Sequence, residues 1–158
     1  MPQVSPVPEL LDVLRGRQQT LSVAESLTGG RLAAAVTAVP GASAVFLGGV
    51  VSYATDLKVR LLGVPASLVE QHGVVSAECA RAMATGVRDL TGSTYALSTT
   101  GVAGPDSQEG HPVGTVFVGL AGPDGVVAES LVLPGDRLQV VDETVRRAVA
   151  SLVGRLDD

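Results

Sequence analysis

A chain of 158 residues with 46% hydrophobic residues and a mean hydropathy of +0.36 has enough apolar material for the core of one ordinary domain. Its net charge of −5, its scattered basic residues and its two Phe, two Tyr and no Trp argue against a nucleic-acid partner, which would need a cationic track or stacking platforms. The lone Cys79 permits no internal disulfide, His72 and His111 lack metal-ligand spacing, and the longest apolar run, Val45 to Val51, is too short to cross a bilayer. The expectation is a soluble, cytoplasmic, single-domain protein (residues 1–158) with no metal and no membrane partner.

Met1 to Pro8 holds three prolines and reads as an extended lead-in. Leu10, Leu11, Val13 and Leu14 then mark a short amphipathic helix ending near Gly16. Thr20 to Ala24 reads as the first strand, and Gly30 to Val39 as a helix closed by Pro40-Gly41. Between them lies the corner Glu25-Ser26-Leu27-Thr28-Gly29-Gly30. A serine there sits at the carboxyl end of a strand, and the helix start behind it would offer backbone N–H groups to an anion or a developing oxyanion.

Val45 to Tyr53 is nearly continuous in apolar residues and glycine, the pattern of a strand covered on both faces. Ala54 to Leu62 places Leu57, Leu61 and Leu62 at helical spacing and sets Lys58 just beyond a strand end. Ala66 to Gln71 is a further helical turn, and Ser76 caps a longer helix to about Leu90. Thr94 to Thr100 is the third strand and runs into the loop Gly101 to Asp106. Gly114 to Ala121 and Val126 to Leu133 flank Gly122-Pro123-Asp124-Gly125 and form an antiparallel hairpin. Asp136 caps a final helix whose positions Leu138, Val141, Val145, Ala148, Val149, Leu152 and Leu156 recur at helical spacing. The pattern predicts an α/β domain with a mixed sheet and helices on both faces.

Three strand ends thus present polar groups: Ser26 with Thr28-Gly29-Gly30, Tyr53 with Lys58, and Thr100 with Gly101 and Gly104. Ligands of α/β sheets collect at carboxyl strand ends. With no histidine near these ends in sequence, the candidate base for Ser26 is Lys58, provided burial or a positive field lowers its pKa, and Tyr53 could orient or relay a proton. Each residue also has a plain structural reading. Ser26 would serve as a helix cap, Lys58 as a solvated charge, Tyr53 as a strand-end core residue, Gly101 to Asp106 as a turn and Arg137 as a cap neighbour.

Taken together, Ala24-Glu25-Ser26 with Thr28-Gly29-Gly30, Tyr53 with Lys58, Gly101-Val102-Ala103-Gly104-Pro105-Asp106, Pro112-Val113-Gly114-Thr115-Val116 and Gly135-Asp136-Arg137 resemble the C-terminal domain of the CinA (competence/damage-inducible) family in its stand-alone form. The resemblance spans nearly the whole chain. It implies a three-layer α/β/α fold around a mixed five-stranded sheet, similar to the anticodon-binding-domain type. It also implies an amidohydrolase that converts nicotinamide mononucleotide, a small-molecule nucleotide substrate, to nicotinic acid mononucleotide and ammonia in pyridine nucleotide salvage, without metal or cofactor. Carried over by position, Ser26 is the nucleophile, Lys58 the base and Tyr53 the assisting hydroxyl, while Thr28, Gly29, Gly30, Thr100, Gly101, Gly104 and Arg137 hold the substrate. A homo-oligomer, dimer or higher, is expected. Much of the family has an asparagine two residues after the tyrosine and an arginine four residues after the Gly-Asp-Arg arginine, where this chain has Thr55 and Val141. The alternative is therefore a catalytically silent nucleotide- or phosphate-binding module of the same fold.

Overall fold

The computed structural model describes residues 4–158, so the first three residues of the expected lead-in lie outside the described residues. Helix α1 (Val7–Gly16) already begins within that lead-in, with Pro8 in its first turn, where the missing N–H removes no helical bond. Next come β1 (Leu21–Glu25), α2 (Arg31–Thr37), a 3-10 turn (Ala42–Ala44), β2 (Phe46–Val51), α3 (Thr55–Leu62) and α4 (Ala66–His72). The chain continues through α5 (Ala77–Thr91), β3 (Tyr95–Gly101), β4 (Thr115–Gly122), β5 (Gly125–Val132) and α6 (Arg137–Leu156). No helix among the described residues is long and apolar enough to cross a membrane.

The five strands form one sheet in the order β2-β1-β3-β4-β5. Strand β1 runs parallel to β2 and to β3, whereas β4 and β5 are antiparallel additions. This topology sends the carboxyl ends of β1, β2 and β3, the start of β4 and the end of β5 to one edge of the sheet. The N-terminus of α6 follows β5 to that same edge and brings Arg137 with it.

One face of the sheet carries small residues. Ser22, Ala24, Ala96, Ser98, Gly119 and Ala121 let α5 lie close against the strands. Ser98 Oγ donates to the Ala80 carbonyl of α5 at 2.6 Å, and Ser22 Oγ bonds Ser93 Oγ at 2.7 Å, so the buried hydroxyls are satisfied. A side chain at Gly119 would run into the Ala80 carbonyl and Ser98 Oγ, and this close approach requires glycine there. The opposite face carries Leu21, Val23, Leu97 and Leu120, covered by α1, α2 and α6 through Leu10, Leu14, Leu32, Val141, Val149 and Leu152. Two apolar layers therefore sandwich the central strands, and every residue of β1 is buried.

Strand β2 departs from the sequence reading. It is the sheet's outer strand, and its residues alternate between half-buried and exposed, with Leu47 and Val51 turned outward. Glycines at 48 and 49 made the run look continuous, because a residue without a side chain hides a period of two. The caps, in contrast, are where the sequence places them. Ser76 Oγ accepts from Cys79 N at 3.1 Å, and Asp136 and Gln139 form a reciprocal capping box.

Candidate active site

Ser26 leaves β1 at the carboxyl edge of the sheet, with its backbone N–H still donating to the Thr99 carbonyl at 3.0 Å. Glu25, one residue earlier, accepts from the Ser52 backbone N–H through its carbonyl at 2.8 Å, which ties the β1 and β2 ends together. The position of Ser26 is thus fixed from both sides by main-chain bonds.

Lys58, in the first half of α3, is 1% exposed. Its Nζ lies 3.0 Å from Ser26 Oγ, 2.7 Å from the Ser52 carbonyl oxygen and 3.2 Å from the Tyr53 carbonyl oxygen. Carbonyl oxygens only accept, so two N–H bonds of the amine are committed to Ser52 and Tyr53. The third direction faces the serine. An ammonium donates its remaining proton to Oγ, whereas a neutral amine turns its lone pair there and accepts the serine's hydrogen. Burial pulls the Lys58 pKa below its ordinary value, opposed by Cys79 where its thiol ionises and by the charge of Glu109. The buried Cys79 thiol is itself pushed up to about 11, chiefly by burial, and stays protonated near neutral pH.

The corner after Ser26 is organised by a residue to which the sequence reading gave no role. Glu25 is 1% exposed, and its carboxylate accepts from Leu32 N at 2.7 Å, Ala33 N at 3.0 Å and Thr28 Oγ1 at 2.7 Å. It caps α2 from within the core. The helix-start N–H groups expected to serve an oxyanion are therefore already occupied, because an internal carboxylate holds them at fixed geometry. Ser26 does not cap the helix either; Gly30, at φ 103°, holds the N-cap position. Among the described residues, the Leu27 N–H, immediately after the serine, has no protein acceptor.

The cleft above the Ser26–Lys58 pair has a volume of about 290 Å³. Ser26, Tyr53, Lys58, Thr100, Gly101, Gly104 and Arg137 all line it, so seven of the ten sequence-predicted site residues meet in one place. Thr28, Gly29 and Gly30 are not among the lining residues. The Thr28 hydroxyl is buried between Glu25 and Thr99, and the two glycines turn the chain into α2. Tyr53 is 60% exposed, and its hydroxyl accepts from Arg137 at 2.9 Å, while only its carbonyl touches Lys58. Arg137 also donates to the Gly104 carbonyl, thereby bridging two walls of the cleft. Thr100 Oγ1 donates to the Val74 carbonyl at 2.7 Å. Thr55 lines the cleft beside Tyr53, whereas Val141 is buried in the core against the sheet and presents nothing to the cleft.

Sequence reasoning missed Glu25 as a cap and Glu109, whose carboxylate accepts from Val74 N and Val75 N at 3.1 and 2.8 Å. For Glu25 a signal existed: an acid closing an otherwise apolar strand must find donors inside the protein. A larger and more open groove of about 850 Å³, between α3 and α5, contains no serine or cysteine.

Residues 5–156 match the model of the CinA C-terminal domain. A CinA-like protein of Frankia casuarinae is 53% identical over 150 residues, which cover 90% of this chain and 35% of that protein. The chain thus spans about a third of the length of that relative, and a similar share of others it matches. A solved CinA superfamily protein from Klebsiella pneumoniae superposes with a TM-score of 0.91 at 35% identity, covering 96% of this chain and 98% of its own. Another from Escherichia coli superposes with a TM-score of 0.90 at 29% identity, covering 96% and 93%. By its motifs, its sheet topology and these matches, the chain belongs to the CinA C-terminal domain family.

Proposed function

We propose that the chain is a serine-lysine amidohydrolase that hydrolyses the carboxamide of nicotinamide mononucleotide to nicotinic acid mononucleotide and ammonia. The observation that carries this reading is the approach of Lys58 Nζ to Ser26 Oγ at 3.0 Å, with the other two Nζ contacts taken by carbonyl oxygens. Neutral Lys58 accepts the Ser26 proton while Oγ bonds to the carboxamide carbon, placing negative charge on the carbonyl oxygen. The Leu27 N–H is the donor proposed for that oxyanion, and such preorganised donors are worth about 3 kcal/mol each. As the tetrahedral species collapses, the C–N bond breaks, the Lys58 ammonium delivers its proton to the departing nitrogen, and ammonia leaves an ester on Ser26. Water then loses a proton to Lys58 and adds to the ester carbon. The C–O bond to Ser26 breaks, Oγ recovers the proton, and the acid is released.

The choice of nucleotide rests on the family resemblance of the motifs. It is supported by the Arg137 guanidinium at the cleft rim, whose positive charge and N–H groups left over from its bonds to Gly104 and Tyr53 would favour a phosphate. The test is ammonia release from nicotinamide mononucleotide by wild type, Ser26→Ala and Lys58→Ala. Wild-type turnover falling about a thousand-fold or more in both variants is expected. Undiminished turnover in Ser26→Ala removes the serine as nucleophile, and a nucleotide-dependent rise in wild-type melting temperature without ammonia would favour the silent binding module.

A further inference from the structure

The segment from Val102 to Val113 forms a strap over the cleft, and Gly104, Pro105, Asp106, Ser107 and Gln108 supply its inner surface. Its tip is a two-residue turn. Gln108 and His111 exchange backbone hydrogen bonds at 3.1 and 2.8 Å, with Glu109 at φ 52° and Gly110 at φ 77° between them. Both central residues are left-handed, a geometry suited to Asn-Gly and unfavourable for glutamate. A glutamate in that conformation needs compensation from outside the turn.

The compensation lies in the loop joining α4 to α5. The Glu109 carboxylate spans two successive backbone donors there, taking Val75 N on Oε1 at 2.8 Å and Val74 N on Oε2 at 3.1 Å. The donors are themselves fixed. Thr100 Oγ1, from the floor of the cleft, holds the Val74 carbonyl at 2.7 Å, and Ser76 begins α5 directly after them. Gly73, at φ 75°, leaves the space: a Cβ there would stand 2.7 Å from one carboxylate oxygen and 2.8 Å from the other. Two adjacent N–H groups, a glycine and a threonine anchor thus form a cradle that the strap fills with its own carboxylate. The near end of the strap is tied separately, through the Gly104 carbonyl to Arg137.

We propose that Glu109 is a positioning residue, a latch that docks the strap onto the Val74-Val75 cradle and so holds the wall of the cleft in its ligand-binding position. It touches no reacting atom. Its positioning effect is on the population of the closed cleft, because a strap released from the cradle takes the Gly104 to Gln108 wall away from the ligand and lowers apparent affinity by the fraction of closed molecules. Its charge separately raises the Lys58 pKa. The kinetic consequence rests on the amide hydrolysis proposed above; the latch itself does not.

The test compares amide hydrogen exchange in the full chain of wild type, Glu109→Gln and Glu109→Ala. Gln retains one acceptor but turns an NH₂ toward the other donor, and Ala removes both acceptors. Since Glu109 is exposed on the surface, both variants keep the core intact. Exchange at Val74 and Val75 is expected to accelerate about ten-fold or more in both, with β3 amides unchanged. Unchanged exchange at Val74 and Val75 overturns the latch, as does equal acceleration in β3, which would make Glu109 a contributor to general stability. In the ammonia assay, run on the high-pH plateau because Glu109 also raises the Lys58 pKa, KM for nicotinamide mononucleotide is expected to rise about ten-fold with kcat within about two-fold. A fall in kcat at unchanged KM overturns the positioning role. Absence of ammonia from wild type defeats the amidase reading alone, because the exchange measurement still decides the latch.

Discussion

Lys58 Nζ stands 3.0 Å from Ser26 Oγ although the two residues are 32 positions apart and lie on different elements. Ser26 is held by β1 and Lys58 by α3, and what joins them is the parallel pairing of β1 with β2, which puts both strand ends at one sheet edge. The amine reaches the hydroxyl only because the chain between β2 and α3 aims the Ser52 and Tyr53 carbonyls at it as well. These acceptors fix two of its N–H bonds and leave the third direction to Ser26.

The pH dependence of turnover follows from that arrangement. Only neutral Lys58 accepts the serine proton, and burial lowers its pKa. The rate is expected to rise with pH through an ionisation below the ordinary lysine value of 10.5 and then level off. A kcat/KM profile of the proposed hydrolysis on the wild-type protein measures it, and a rate that is flat from pH 6 to 9 would count against Lys58 as a base titrating in that range.

The same shift has a signature in stability. Between the lowered folded-state pKa and the unfolded value near 10.5, the unfolded chain binds the proton that the folded chain has released, so stability rises with pH across that window. Below the folded value the penalty of the buried ammonium is fully present; above 10.5 it has gone. The melting temperature of Lys58→Met minus that of wild type is therefore expected to decrease as pH is raised from 6 toward 10.5. Thermal melts across that range check the sign, and a constant difference refutes it.

Glu25 should matter for stability before it matters for chemistry. Replacing it with alanine strands the Leu32 and Ala33 N–H groups and the Thr28 hydroxyl, at an expected loss of about 2–4 kcal/mol. Urea unfolding measures it, and a loss below about 1 kcal/mol would mean that water replaces the carboxylate at the helix start.

Gly119 lies where β4 approaches α5 closely. Gly119→Ala forces a methyl group against the Ala80 carbonyl and Ser98 Oγ, at an expected loss of about 1–3 kcal/mol, again read from urea unfolding. An unchanged midpoint would show that α5 moves away from the sheet at no cost.

What was legible in the sequence rests on local rules. Helix periodicity, the Ser76 and Asp136 caps and the Gly-Pro-Asp-Gly hairpin depend on neighbours within a few residues, and the structure places the helices, caps and hairpin where the pattern does, although Leu61 and Leu138, read as apolar-face positions, are exposed. The motifs likewise named Ser26, Lys58 and Tyr53, residues that line the cleft. The sequence reading failed where the deciding contact was remote. Whether β2 is an inner or an outer strand depends on which strands pair, and glycines at 48 and 49 removed the side chains that would have shown it. Whether a helix start is open to an oxyanion or filled by Glu25 depends on how far α2 sits from β1, and whether Tyr53 offers its hydroxyl or its carbonyl to Lys58 depends on Arg137 arriving from 84 residues away.

The sequence by itself determined the alphabet of the corner, a serine, a lysine and a glycine loop at successive strand ends, because strand and helix periods are written in consecutive side chains. Only the tertiary structure decided which N–H groups are already spent, which direction the lysine lone pair faces and that Glu109 reaches the Val74-Val75 cradle 34 to 35 residues away. Backbone donors and carbonyls are the same at every position of a sequence. Their availability is a property of packing alone.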